Sequence, residues 1–106
     1  MDFPNDADGD ALRRVAQRSD MSKPMDIDFA VEVPDQARGE KMAELSAQRG
    51  YVAAVECDAA GLSWTCYCTK RMVPAYEAVI AAQKELDELS APLGGHSDGW
   101  GTAGNY

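Results

Sequence analysis

A chain of 106 residues fits one domain, and its 18 acidic against 10 basic side chains give a net charge of −8. Such a balance keeps a protein soluble, argues against direct nucleic-acid binding, and attracts basic protein partners. No apolar run approaches the roughly 20 residues that span a membrane, and the first residues lack the regions of a signal peptide. We therefore expect a cytoplasmic protein without a membrane segment.

The N-terminal segment carries one short helical pattern. We expect residues 1–9 to be mobile and a helix to follow over 10–19, because Leu12, Val15 and Ala16 form an apolar stripe at helical spacing. Three arginines lie off this stripe: Arg13, Arg14 and Arg18. We interpret them as a solvated helix face rather than a nucleic-acid arm.

The clearest pattern in the chain is the alternation over 25–33. Its apolar residues alternate with Asp26, Asp28, Ala30 and Glu32. A period of two is typical of a strand with one buried and one solvent-exposed face, and Pro34 ends it because proline has no N–H for the ladder.

A helix and two strands are predicted after this first strand. A helix is predicted over 36–49, with Ala37, Met42 and Leu45 facing inward and Gly39 weakening it locally. Strands are predicted over 51–57 and 62–69, joined by a four-residue hairpin loop over 58–61. The residues predicted to face inward on these strands are Tyr51, Ala53, Val55, Cys57, Leu62, Trp64, Cys66 and Cys68.

The second half repeats helix and strand. A helix over 74–90 begins with a proline, which suits a first turn, and a last strand covers 96–102. The apolar stripe predicted for this helix is Ala75, Val79, Ala82, Leu86 and Leu89.

The order β-α-β-β-α-β, with right-handed crossovers, places both of these helices on one face of the sheet. The sequence therefore predicts an α+β fold, a ferredoxin-like sandwich with a four-stranded antiparallel sheet in the order 4-1-3-2, plus a short N-terminal helix. We expect one domain over 1–106, of which the sandwich occupies 25–105. The strand over 25–33 is central in it.

No arrangement of residues points to catalysis, a cofactor or a metal. Cys66 and Cys68 share a strand face without the geometry of a disulfide, and His96 is the single imidazole, so we interpret all three cysteines as reduced core residues. A nucleophilic group of Cys57, His96 and Asp98 has no motif around it. Acylphosphatases share this element order, but they need an arginine in a glycine-rich loop where this chain has Val-Pro-Asp.

The solvent-exposed face of the sheet is the candidate binding surface. RNA-binding modules of this topology stack bases on aromatic side chains ringed by basic residues, whereas this face is acidic. It suits an arginine-rich peptide, with a tyrosine ring for cation–π contact. The candidate partner-binding residues are Asp26, Asp28, Glu32, Glu56 and Tyr67. Alternatively, the face is simply solvated or is covered by the N-terminal helix through Leu12 and Val15.

The last predicted strand ends in Asp98-Gly99-Trp100-Gly101-Thr102, which resembles the closing strand of the family of regulators of ribonuclease E activity B, the RraB family. The segments 26–29, 64–65 and 70–74 are also similar to members of that family, and the likeness runs in order from about residue 8 to 105. It implies a domain that is not an enzyme and that binds an endoribonuclease of the RNA-degradation machinery and lowers its activity.

We therefore expect a non-enzymatic acidic regulator that binds the basic regions of an RNase E-type endoribonuclease. Within the motif, Asp98 and Trp100 share a strand face by parity, and we expect the motif to be structural, closing the core. Two alternatives remain: a ferredoxin-like domain that senses a small molecule, and an immunity-type inhibitor of another basic nuclease.

Overall fold

The structure is a computed structural model, and it describes residues 3–104. Residues 1 and 2 of the segment expected to be mobile, and residue 105 of the expected sandwich, lie outside the described residues. The elements in chain order are α1 (Ala7–Ala16), β1 (Met25–Val33), α2 (Gln36–Ala47), β2 (Val52–Cys57), β3 (Trp64–Met72), α3 (Tyr76–Ser90), a 3₁₀ turn (Ala91–Leu93) and β4 (His96–Thr102).

The four strands form one antiparallel sheet in the order β2-β3-β1-β4, which confirms the predicted fold class. β1 pairs with β3 along its whole length, from Met25 opposite Met72 to Val33 opposite Trp64. None of the helices between Phe3 and Gly104 is long and apolar enough to cross a membrane.

One face of β1 forms the centre of the core, as its alternation predicts. Met25, Ile27, Phe29 and Val31 are fully buried and Val33 almost so. Met42 of α2 and Val79 and Leu86 of α3 are buried in the same cluster, together with Cys66 and Cys68 of β3. Each fully buried aliphatic or aromatic side chain contributes about 1.5–3 kcal/mol, so this shared cluster is the main stabilising feature of the sandwich.

The N-terminal helix begins earlier than predicted and lies on the helical side of the sheet. Asp6 caps it by accepting a hydrogen bond from the Gly9 N–H at 2.7 Å, and α1 therefore starts at Ala7 rather than near Asp10. Leu12 is fully buried in the core, where α1 packs against α3. The alternative that α1 covers the exposed face of the sheet is therefore wrong.

The β2–β3 hairpin differs from the prediction at its loop. β3 begins at Trp64, so the loop spans 58–63 and Cys57 lies opposite Trp64 rather than Leu62. Asp58 organises the loop by accepting hydrogen bonds from the Leu62 N–H at 2.8 Å and from Ser63, and the Leu62 bond lowers the pKa of Asp58. The prediction that Leu62 faces the core is wrong, since it lies in the loop and is exposed. The register places Cys57 on the core side of the sheet as predicted, but it lies at the end of the edge strand and is exposed rather than buried.

Two predicted inward-facing alanines are also exposed. Ala37 lies in the first turn of α2, away from the sheet, and Ala75 precedes α3 as its cap residue. The close approach of α2 to the sheet is made instead by Gly39, which is buried. A Cβ atom there would lie 2.8 Å from Val55 Cγ1 and 3.3 Å from Val33 Cγ2, so this position needs a residue without a side chain.

Candidate functional site

The exposed face of the sheet carries all five residues predicted to bind a partner. Asp26, Asp28 and Glu32 alternate along β1 with the buried residues, and the registers place Tyr67 of β3 and Glu56 of β2 on the same side. The Asp26 side chain is 65% exposed and the Glu32 side chain 44%. Among the elements that the structure describes, none covers this face, which we name the acidic face.

An open cleft of about 490 Å³ lies on the acidic face. Asp28, Glu56 and Tyr67 line it, together with Ala54 and two residues of β4. Ala54 lies directly opposite Tyr67 in the β2–β3 ladder, and its small side chain leaves the space beside the tyrosine ring open. Three of the five predicted residues therefore meet around one cleft, while Asp26 and Glu32 lie towards the two ends of β1.

The carboxylates of the acidic face have few positive neighbours. Arg71 lies 3.5 Å from Asp26, and His96 Nε2 lies 3.3 Å from Glu32 Oε2. The Thr69 hydroxyl donates a hydrogen bond to Asp28. Sequence reasoning left Arg71 and His96 out of the site, although parity along β3 from Thr69 would have placed Arg71 on this face.

The closing strand contains a β-bulge that separates the residues of the predicted motif. Trp100 pairs with Phe29 and Ser97 pairs with Val31, so Asp98 and Gly99 of β4 lie opposite Ala30 of β1 and the ladder gains one extra residue. Gly99 has φ +92°, a left-handed conformation that favours glycine. The prediction that Asp98 and Trp100 share a face by parity is therefore wrong, because the bulge interrupts the alternation.

The bulge brings Asp98 to the side chains of Glu32 and His96. Ligand atoms of these three residues lie within 4.8 Å of one another. Two carboxylates and an imidazole are groups that bind divalent transition metals, but all three side chains are solvent-accessible and His96 already pairs with Glu32. The cluster is accounted for as a solvent-accessible contact between His96 and Glu32 with the Asp98 carboxylate beside it.

Trp100 faces the opposite way and connects α1 to the sheet. Its indole Nε1–H donates a hydrogen bond to Asp8 Oδ1 at 2.8 Å, and the Gln83 side chain donates to the same oxygen at 3.1 Å. Next to this link, the Tyr76 hydroxyl donates to Asp6 at 2.5 Å. The tryptophan of the motif thus holds the N-terminal helix in place. Sequence inspection could not reveal this role, because Trp100 and Gln83 lie 92 and 75 residues from Asp8.

The cysteines form no catalytic group. Cys66 and Cys68 are buried, and their sulfur atoms form a hydrogen bond at 3.8 Å. The hydrogen bond to Cys68, together with burial, raises the pKa of the Cys66 thiol. Cys57 lies on the edge strand β2, with β3 and β1 between it and His96 of β4. At a spacing of about 4.8 Å per strand, they are roughly 14 Å apart, too far for a thiol and its general base.

Comparison with known proteins gave one result. The model of the family RraB, described as regulator of ribonuclease activity B, matches residues 5–102. The match includes α1, every strand and the 98–102 motif. No curated protein and no solved structure matched the chain.

Proposed function

Since the chain belongs to the RraB family of regulators of ribonuclease activity, we propose that it is a non-enzymatic regulator that binds a basic segment of an endoribonuclease on its acidic face. The endoribonuclease is of the RNA-degradation machinery, and binding lowers its activity. The observation that supports this most directly is the open cleft bordered by Asp28, Glu56 and Tyr67.

The chemistry of the cleft suits an arginine side chain. A guanidinium group donates paired hydrogen bonds to carboxylates and stacks on aromatic rings, and Tyr67 offers a ring that is 38% exposed beside two carboxylates. Each exposed ion pair contributes about 0.2–1 kcal/mol, and a cation–π contact at an exposed site about 0.5–1 kcal/mol. Useful affinity therefore requires several basic residues on the partner, and it falls as salt screens the charges.

The same charges favour a protein ligand over RNA. Asp26, Asp28, Glu32 and Glu56 would all lie near a phosphate backbone placed on this sheet, with Arg71 as the nearest guanidinium. Electrostatic repulsion opposes such binding, because nucleic-acid affinity depends on neutralising phosphates with cations. The charges of this surface therefore favour regulation by binding the ribonuclease over regulation by binding its RNA substrate.

Two charge-matched triple variants test the proposal. In the first, Asp26→Asn, Asp28→Asn and Glu56→Gln remove three charges from the acidic face while keeping polar groups of the same size. In the control, Glu40→Gln, Glu77→Gln and Glu88→Gln remove three exposed charges from α2 and α3. Binding to the endoribonuclease is measured by titration calorimetry at low and high salt, and its activity by cleavage of a labelled RNA.

We expect the acidic-face variant to bind about 3- to 150-fold more weakly than the wild type and to inhibit correspondingly less, because three pairs of about 0.2–1 kcal/mol each total about 0.6–3 kcal/mol. The control should bind within about twofold of the wild type, since distant charges are screened beyond about 10 Å. Equal loss in both variants would mean that net charge alone matters, and no binding at low salt would refute the proposed partner.

A further inference from the structure

A second cleft, of about 460 Å³, lies on the other side of β4, between this strand and the C-terminal half of α1. Arg14, Val15 and Arg18 line it from α1 and the following residues, and Trp100 and Thr102 line it from β4. The volume falls in the range of about 300–1,000 Å³ that is typical of small-molecule sites. We name this cleft the arginine groove.

The two arginines of the groove are free to bind a ligand. Arg13, the third member of the cluster, donates to the Phe3 carbonyl oxygen and pairs with Asp10. Arg14 and Arg18, in contrast, are exposed and form no ion pair with any residue between Phe3 and Gly104. Arg14 lies in the last turn of α1 and Arg18 lies two residues beyond the end of this helix, and both line the same groove.

The opposite wall of the groove provides a fixed aromatic ring. Trp100 is half-buried, and its hydrogen bond to Asp8 holds the indole in one orientation. Asp8 accepts hydrogen bonds from both Trp100 and Gln83. Asp10 forms an ion pair with Arg13. The free charges at the groove are therefore positive, in a protein whose net charge is −8.

From this arrangement we propose that the arginine groove binds a nucleoside monophosphate, with its phosphate on Arg14 and Arg18 and its base against Trp100. A phosphate monoester carries a charge of about −1.5 to −2 and three acceptor oxygens, which match two guanidinium groups. A single carboxylate carries only one charge, so it neutralises one of the two guanidinium groups, whereas a phosphate monoester nearly neutralises both. A flat ring on the same ligand gives Trp100 a stacking partner.

This site is separate from the proposed partner surface, although the two are adjacent. Gly101 and Thr102 line both the arginine groove and the cleft of the acidic face. A ligand in the groove therefore lies one strand away from the partner cleft. Ligand binding is tested without any ribonuclease, so its failure leaves the proposed function untouched, and the converse also holds.

The experiment uses the full chain with Trp64→Phe, which leaves Trp100 as the single tryptophan. Adenosine 5′-monophosphate is titrated against Trp100 fluorescence and against the melting temperature, with adenosine and inorganic phosphate as separate probes. We expect saturable quenching and a rise in melting temperature with the nucleotide, and at least tenfold weaker binding of either fragment. Absence of saturable nucleotide binding, or equal binding of inorganic phosphate, would overturn the proposal.

Matched variants locate the site. Arg14→Ala with Arg18→Ala removes both exposed guanidinium groups, and losing the two together should weaken nucleotide binding about tenfold or more. Lys41→Ala with Arg49→Ala removes the same number of charges from the region of α2, away from the groove, and should leave binding unchanged. Unchanged binding in the groove variant, or equal loss in the control, would also overturn the proposal.

Discussion

The hydrogen bond between Trp100 and Asp8 makes a quantitative prediction about the closing motif. If Trp100 holds α1 against the sheet, Trp100→Phe should destabilise the protein, because phenylalanine keeps a ring but lacks the indole N–H. A hydrogen bond to a charged acceptor contributes about 1.5–3 kcal/mol. The bond is part-buried and Gln83 still donates to Asp8, so the lower end applies, about 1.5 kcal/mol.

Trp100→Phe also shrinks the ring, and Asp8→Ala also removes a charge near the start of α1. A double-mutant cycle of these two substitutions cancels both effects and leaves the coupling free energy of the hydrogen bond. The free energy of unfolding is measured by urea denaturation followed by circular dichroism. We expect a coupling energy of about 1–1.5 kcal/mol between positions 8 and 100. Since 1 kcal/mol shifts the melting temperature of a domain near this size by about 4–8 °C, Trp100→Phe alone should lower it by at least about 5 °C.

Trp64→Phe is the matched control, because it removes the same atoms from the other tryptophan. No hydrogen bond from the Trp64 indole occurs among residues 3–104, so it should show no coupling with Asp8→Ala. Additive effects of Trp100→Phe and Asp8→Ala, with a coupling below about 0.3 kcal/mol, would refute the idea that the motif tryptophan holds α1.

Three further predictions follow from single contacts. Gly39→Ala should lower the free energy of unfolding, measured by urea denaturation, by about 1 kcal/mol or more, because the new Cβ would lie 2.8 Å from Val55 Cγ1. This loss should outweigh the better helix propensity of alanine, and a gain in stability would contradict the packing. The Tyr76–Asp6 hydrogen bond lowers the pKa of Asp6 below its usual 3.8 and raises the pKa of Tyr76 above 10.0. The stabilisation by this hydrogen bond is therefore lost as pH falls through the folded-state pKa of Asp6, and also as pH rises through the folded-state pKa of Tyr76. The melting temperature of Tyr76→Phe should therefore lie furthest below that of the wild type near neutral pH. A difference that does not change with pH would argue against this hydrogen bond. Of the three cysteines, only Cys57 is exposed, so a thiol reagent should modify one thiol per native chain and three after denaturation; rapid modification of all three would contradict the buried pair.

The elements that local patterns define were predictable from sequence. β1 was predicted at its observed bounds because nine residues alternate and a proline follows them. The sheet order followed from the order of elements and the handedness of crossovers. Both arguments need only short-range periodicity and chain connectivity.

The errors occurred where a loop or a bulge decides which residues pair. Asp58 closes a longer loop than the four residues predicted, and this moves Leu62 out of the strand and pairs Cys57 with Trp64 instead. Gly39 looked like a weak point in a helix and is instead the place where the helix approaches the sheet most closely. Such features depend on partners distant in sequence, which residue spacing alone does not reveal.

The bulge in β4 also separates what the family motif does from what the binding surface does. Trp100 is engaged with Asp8, and Gly99 supplies the left-handed backbone of the bulge, so these motif residues serve the fold. The carboxylates and the tyrosine of the acidic face come from β1, β2 and β3, and of the motif only Gly101 and Thr102 reach that cleft. If the acidic face binds the partner as proposed, substitutions there can change the partner without altering the motif. It follows that the motif serves the fold and the family match, whereas, under the proposed function, the charges of the acidic face select the basic segment that binds.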